Sequence, residues 1–125
     1  MSEPYKIKRF TSTSGCEILV GQDEVSNDYL SLKLAAQNDI WLHVAGSPGS
    51  HVVLKCEQPD KQTLQEAAGL AAWFSKMRAG GNVAVSYCPA TNVRKPRGAK
   101  PGTVTISKHK TIRVKPHLLE NSESV

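Results

Sequence analysis

Residues 38–55, NDIWLHVAGSPGSHVVLK, leave this chain few ways to fold. Ile40, Leu42 and Val44 alternate with Trp41, His43 and Ala45. That is the period of a strand with one aliphatic face and one face carrying an indole and an imidazole. Gly46, Pro48 and Gly49 then reverse the chain, since glycine takes backbone angles closed to other residues and proline locks its own. From 50 to 55 the alternation resumes, with Val52, Leu54 and Cys56 against His51, Val53 and Lys55. Two such runs about one bend predict a hairpin with His43 and His51 near the same turn. Its register stays open at this point, and a slip of one residue would move every side chain to the other face.

The flanking segments extend this hairpin into a sheet. Residues 5–10 and 17–20 read as strands about a TSTSG turn at 11–15, closed by Gly21. Ser26, Asn27 and Asp28 offer short side-chain acceptors for the free amides of a first helical turn, which predicts a short helix over 27–36. Leu30, Leu32 and Leu34 also alternate, so a strand is the competing pattern there. A long Ala-rich helix is predicted over 60–78. Its cap is Asp60, or Thr63 with Glu66 as a capping box. Leu64, Ala67, Ala68, Ala71, Phe74 and Ser75 share one face. The alanines and Gly69 would let that helix lie close to a sheet, and Met77 with Gly80-Gly81 would end it. Residues 82–88 alternate as a central strand. Two more β-rich runs follow at 103–107 and 111–114, with His109-Lys110 as the turn between them and Pro116 as the stop. The expected architecture is α+β: a mainly antiparallel sheet packed on one side by the 60–78 helix, with the short helix near 27–36. It forms one domain over 1–119, followed by a frayed tail at 120–125.

Composition narrows the classes. At 125 residues and 39% hydrophobic the chain can bury one core. It has no run approaching the roughly 20 apolar residues that span a bilayer. Its first residues, MSEPYKIKRF, lack a signal-peptide core, so we expect a cytoplasmic protein that does not engage membranes. Cys16, Cys56 and Cys88 are an odd number with no C-x-x-C pair, which predicts buried small hydrophobes. Net charge is +5, unevenly spread. Residues 1–66 hold 6 Lys/Arg and 9 Asp/Glu, a balance of −3, and residues 67–125 hold 10 and 2, a balance of +8. Such asymmetry points to a polyanionic partner, or to a solvated basic face.

Two stretches can carry chemistry. The loop TNVRKPRGAKPGT at 91–103 sets Arg94, Lys95, Arg97 and Lys100 among Pro96, Gly98, Pro101 and Gly102. Proline limits the entropy lost on ordering, glycine admits close backbone approach, and arginine forks match phosphate oxygens. The loop lacks the Walker spacing. It predicts a clamp on a nucleic-acid backbone, against the plain alternative of a soluble loop. Trp41 and His43 form either a platform for an unpaired base or part of the core. His43, His51 and Asp39 are candidate acid–base groups, so an RNA-processing activity stays open. No third ligand stands at metal-binding spacing, and neither a metal nor a cofactor is expected.

Taken together, EILVGQDEVSNDYLSLKLA (17–35), DIWLHVAGSPGSHVVLK (39–55), AAGLAAWFSKMR (67–78), VAVSYCPATNVRKPRGAKPGTVTIS (83–107) and TIRVKP (111–116) resemble the NFACT-R domain, the RNA-binding module of the NFACT proteins. The D-x-W-x-H run followed by P-G-S-H-V-V carries most of that resemblance, which spans roughly residues 15–116. It implies a signature surface of Asn27, Asp28, Asp39, Trp41, His43, Gly49, Ser50 and His51, joined by Lys95, Pro101 and Gly102. It also implies an RNA partner, tRNA or ribosomal RNA, in the setting of ribosome quality control. Proteins of the ribosome or of tRNA modification are the further partners it implies. We expect the module alone, in the manner of free-standing bacterial versions, without the tail-synthesis machinery of full-length members. The alternatives are a protein-docking domain and the enzyme just described.

Overall fold

The computed structural model describes residues 4–119 and the backbone of residues 123 and 124. Strands β1 (Ile7–Thr11) and β2 (Glu17–Gly21) form the expected opening hairpin, with Ile7 facing Gly21 and Thr11 facing Glu17. Helix α1 (Glu24–Tyr29) runs directly into a π-helical turn over Leu30–Leu34. Strands β3 (Ile40–Val44) and β4 (Val52–Lys55), helix α2 (Lys61–Trp73) and strand β5 (Val83–Pro89) follow. A 3-10 turn at Ala90–Asn92 leads to β6 (Val93–Arg94), β7 (Thr105–Ile106), β8 (Lys110–Val114) and the two-residue β9 (Glu123–Ser124). Seven strands make one sheet in the order β8-β5-β3-β4-β2-β1-β9, and β6 and β7 form a separate two-stranded ribbon. Every pairing is antiparallel.

The register of β3 on β4 sets Ile40 opposite Leu54, Trp41 opposite Val53 and Leu42 opposite Val52. Ile40, Leu42, Val44, Val52 and Leu54 therefore share one face, and Trp41 and Val53 share the other. On that face Phe10, Ile18, Leu42, Val52, Leu54 and Val85 pack under the alanines and Leu70 of α2. The opposite face carries Ile7, Leu19, Trp41, Val53 and Cys88, closed over by Leu30, Val93 and the half-buried Ile106. The short helix and the β6–β7 ribbon thus roof the second face.

Several boundaries differ from the expectation, each for a local reason. The helix over 60–78 ends at Trp73. The Phe74 carbonyl accepts from Ser50 N and the Pro48 carbonyl from Lys76 N, so backbone groups past Trp73 bond to the β3–β4 turn. Gly49 permits this contact, since a Cβ there would stand 2.8 Å from Ser75 Cβ. Asp60 is the cap of α2, accepting from Thr63 N at 2.8 Å. The capping box does not form, because the Glu66 carboxylate takes the amide and hydroxyl of Thr13 instead. Gly69 admits the segment after β8 rather than the sheet, its carbonyl accepting from His117 N at 3.0 Å.

The short helix starts at Glu24, not 27, because Asp23 accepts from Ser26 N at 2.7 Å and is the cap. The strand alternative for residues 30–34 is excluded by the π-turn. Strand β5 lies second from an edge, and β4 occupies the middle. The runs at 103–107 and 111–114 are not hairpin partners: β7 pairs with β6 and β8 with β5. Lys110 belongs to β8, so the reversal lies before it, with Lys108 at φ 49°.

Cys88 is buried as expected, whereas Cys16 and Cys56 are only half-buried. The Cys56 thiol is pushed up to about 11, chiefly by a hydrogen bond with Cys16, which makes the two neighbours across β2 and β4. The frayed tail expected at 120–125 falls largely outside the described residues; the backbone of β9 pairs with β1. No helix among the described residues is long and apolar enough to cross a membrane.

Candidate nucleic-acid interface

The β3–β4 register, carried one step towards the turn, sets His43 opposite His51, and their rings meet edge to face at 5.4 Å. His43 also stacks on Trp41, with centroids 5.9 Å apart and planes 16° apart. Trp41 is only 3% exposed, and its indole Nε1–H donates to Ser31 Oγ at 2.9 Å. That hydroxyl lies 2.8 Å from His51 Nδ1. Ser31 Oγ, with one proton to donate and two lone pairs to accept, thus bridges the indole and the imidazole. Burial, and next the neighbouring His43, lower the His51 pKa to about 4, against the opposing influence of Asp28 and the backbone of Gly102 and Asn27. His51 is therefore a neutral brace at neutral pH. Burial also lowers the His43 pKa, against the backbone of Val44 and Gly49.

These facts decide between alternatives that the residues left open. Trp41 is not a surface platform: α1, the π-turn and the β6–β7 ribbon seal it in the second core. Nor do His43, His51 and Asp39 assemble as an acid–base set. Asp39 sits at the far end of β3 from His43, and its Oδ2 takes Ala36 N at 2.8 Å and the Lys55 ammonium at 2.6 Å. Its job is to close the chain between the π-turn and β3.

The basic loop is fastened to α1 by side chains that the sequence placed in one signature. Asp28 Oδ1 accepts from Gly102 N at 3.1 Å, and Oδ2 lies 2.9 Å from the Lys95 ammonium. The same ammonium donates to the carbonyls of Lys100 and Thr103. Gly102 takes φ +86°, and a Cβ there would stand 3.2 Å from Glu24 Cβ. Both its backbone angle and its closeness to α1 thus favour glycine. Asn27 adds a link to β4, its Oδ1 accepting from His51 N at 3.0 Å. Asp28 and Lys95 therefore hold the loop to α1, and Asn27 joins α1 to the start of β4 through His51.

Arg94, Arg97 and Lys100 remain. All three are exposed, and none makes an ion pair or side-chain hydrogen bond among the described residues. Beside the loop lies a cleft of about 440 Å³, with His43, Asn27, Gly49, Ser50, Pro101 and Gly102 along it. It is bounded by Asp23 and Glu24 on one side and Phe74 on another. Of the signature residues along it, Pro101 is exposed and His43, Gly49, Ser50 and Gly102 are partly exposed. Of the other cations in residues 67–125, Lys76 and Arg78 follow α2, and Lys110 and Arg113 lie on edge strand β8.

Sequence reasoning missed Ser31, which joins Trp41 to His51, and the aromatic–cation pair of Trp73 with Arg78, whose guanidinium lies 4.7 Å from the ring centroid. A serine inside a leucine-rich run carries no signal of a partner that arrives from another strand. Trp73 and Arg78 were visible only as the end of a helix face.

Comparison with known proteins agrees with this geometry. Residues 6–108 match the family described as NFACT protein RNA binding domain. The chain is 47% identical over 110 residues to the Rqc2 homolog RqcH of Bacillus subtilis, an alignment covering 88% of this chain and 19% of that protein. It is 42% identical over 113 residues to the Rqc2 homolog RqcH of Streptococcus suis, covering 89% and 20%. It thus spans about a fifth of the length of these curated relatives. The solved C-terminal part of the fibronectin/fibrinogen-binding protein of Streptococcus suis superposes with a TM-score of 0.89 at 40% identity, covering 93% of this chain and 47% of that one. A match over most of the chain, with its signature residues clasping one basic loop, places this protein in the NFACT-R family of RNA-binding domains.

Proposed function

We propose that this chain binds RNA, tRNA or ribosomal RNA, through the sugar–phosphate backbone, with loop 94–103 as the grip. One observation carries this reading: Lys95 is spent internally on Asp28, so that Arg94, Arg97 and Lys100 stand exposed on a braced loop without internal partners. Bracing matters because a loop already ordered loses less entropy on binding. Guanidinium forks then meet phosphate oxygens in pairs. The curated relatives and the family description support a setting on or near the ribosome, in the manner of ribosome quality control. Contact with tRNA-modification proteins belongs to the same proposal, as does a cytoplasmic location.

The test is equilibrium binding of labelled tRNA and ribosomal RNA fragments across a salt series. Three phosphates neutralised on a single strand give a slope of log K against log salt of about −2, and each further contact steepens it by about 0.7. A flat response with both RNAs would overturn the proposal. A competing reading is a protein-docking domain, favoured by the exposed edge strand β8, where Lys110, Thr111 and Arg113 face solvent. A partner that stays bound after nuclease treatment of the lysate would favour that reading.

A further inference from the structure

The cleft beside the basic loop does not end at Phe74. It adjoins a second hollow, and the two share Gln22, Pro48, Gly49, Ser50 and Phe74. Together they form one groove. One end lies at Pro101, Gly102 and Thr103, on the loop that exposes Arg97 and Lys100. The other end lies at Trp73, Lys76 and Arg78. Lys76 and Arg78 line the far end, Arg97 and Lys100 stand on the loop just beyond the near end, and Asp23 and Glu24 wall the near part, Glu24 lying against Gly102. The ring groups of this stretch are His43 and Phe74. His43 is held by its stack on Trp41, and Phe74 carries the Lys8 ammonium 5.5 Å from its centroid.

A duplex backbone does not match that pattern, since carboxylates along its path would repel phosphate. A single strand does, if its phosphates rest on the two pairs of cations and one base turns inward. Carboxylates accept from the exocyclic amines of bases, and an aromatic floor stacks with any base face. We propose that this groove seats one unpaired, amine-bearing base of a bound RNA strand between two phosphate contacts, Arg97 and Lys100 at one end and Lys76 and Arg78 at the other. The inference rests on the RNA-binding reading above and extends it. It assigns a second cationic anchor far from the loop in sequence and a preference for single strands over duplex. Arg78, lying over the Trp73 indole, holds its guanidinium ready at the groove mouth.

The experiment uses the full chain with fluorescein-labelled oligo(A), oligo(C), oligo(U) and an RNA hairpin duplex. With Arg94 included, five cations then contact phosphate, and the single-strand salt slope is about −3.5. Lys76→Ser with Arg78→Ser should bring it to about −2 and weaken binding roughly tenfold. Oligo(A) and oligo(C) should bind more tightly than oligo(U), which lacks the amine, and Glu24→Gln should narrow that gap. Saturating RNA should also shield Trp73 from iodide quenching, a signal that buried Trp41 does not confuse. Phe74→Leu should weaken single-strand binding by about five- to a hundredfold if the base stacks there. Should that variant fail to fold, the Trp73 shielding in the native chain decides the point. Wild-type affinity and slope in the Lys76/Arg78 variant, together with loss of binding in Arg97→Ser/Lys100→Ser, would leave RNA binding standing and overturn the groove. Equal binding of duplex and single strand, or unshielded Trp73 in the complex, would overturn it as well. No binding to any RNA would remove both proposals.

Discussion

The two faces of one sheet do different work. The face under α2 is apolar throughout: Ile18, Leu42, Val52 and Leu54 are fully buried against alanines and Leu70. The face under α1 is built from the same strands, yet it buries Trp41, His51, Ser31 and Asn27 in a connected set of hydrogen bonds. Apolar contacts are non-directional, so the first face holds the strands together with little demand on exact placement. Hydrogen bonds need geometry, and a buried polar group left unpaired is costly. The second face therefore specifies where its roof must sit, and that roof includes the segment that carries the basic loop. Stability is concentrated on one side and positioning on the other.

The largest expected effect lies on the apolar side. Leu54→Ala should cost about 2–5 kcal/mol in urea unfolding, while RNA affinity of the folded fraction stays as in the wild type. A large drop in affinity without loss of stability would break the division of labour.

Next comes pH on the polar side. His51 has a folded pKa of about 4 against 6.5 unfolded, so its neutral form is the one the fold accepts. Its contribution is fully present above pH 6.5 and is lost as pH falls towards 4, reaching roughly 3 kcal/mol if the shift is complete. His43 moves in the same direction, and Asp23 and Asp60, whose pKa values are lowered from 3.8, act only below that window. Unfolding measured between pH 7.5 and 4.5 should show this decline, and His51→Gln should flatten it. An unchanged profile in the variant would assign the decline elsewhere.

A smaller effect is expected where the polar face meets the loop. Asp28→Asn removes the charge facing Lys95 and weakens a partly buried ion pair, for a cost of roughly 1–2 kcal/mol. Hydrogen exchange at the Gly102 amide should quicken while amides of β3 and β4 stay protected. The smallest stability effect belongs to Arg97→Ser, within about 0.5 kcal/mol of wild type. Its RNA salt slope should nonetheless flatten by about 0.7. The two variants separate loop placement from loop charge.

Much of the fold was legible in local pattern. Alternation over residues 38–55 predicted the central hairpin and its two unlike faces, and Asp60 was among the predicted caps. Element ends were less legible. The helix over 60–78 reads as continuous because nothing in AAWFSKMR announces that Pro48 and Ser50 will claim its backbone. The candidate site divided in the same way. Arg94, Arg97 and Lys100 were legible as a basic cluster from type and spacing, and the structure leaves all three exposed. The duties of Trp41, Asp39, Lys95 and His51 were not, because each depends on a partner distant in sequence: Ser31, Lys55, Asp28 and Ser31 again.

The amino-acid sequence by itself determined the strand periods, the absence of Asp and Glu from residues 67–119 and the family to which the chain belongs. Side-chain alternation and charge are properties of neighbouring residues, and they survive in any fold the chain adopts. Only tertiary structure decided which cations are spent on bracing and which face solvent. It also decided that the indole is core, and that Trp73 and Arg78 share a groove with the basic loop. Those outcomes depend on which distant groups meet, and such meetings are set by packing the whole sheet between its two unlike roofs.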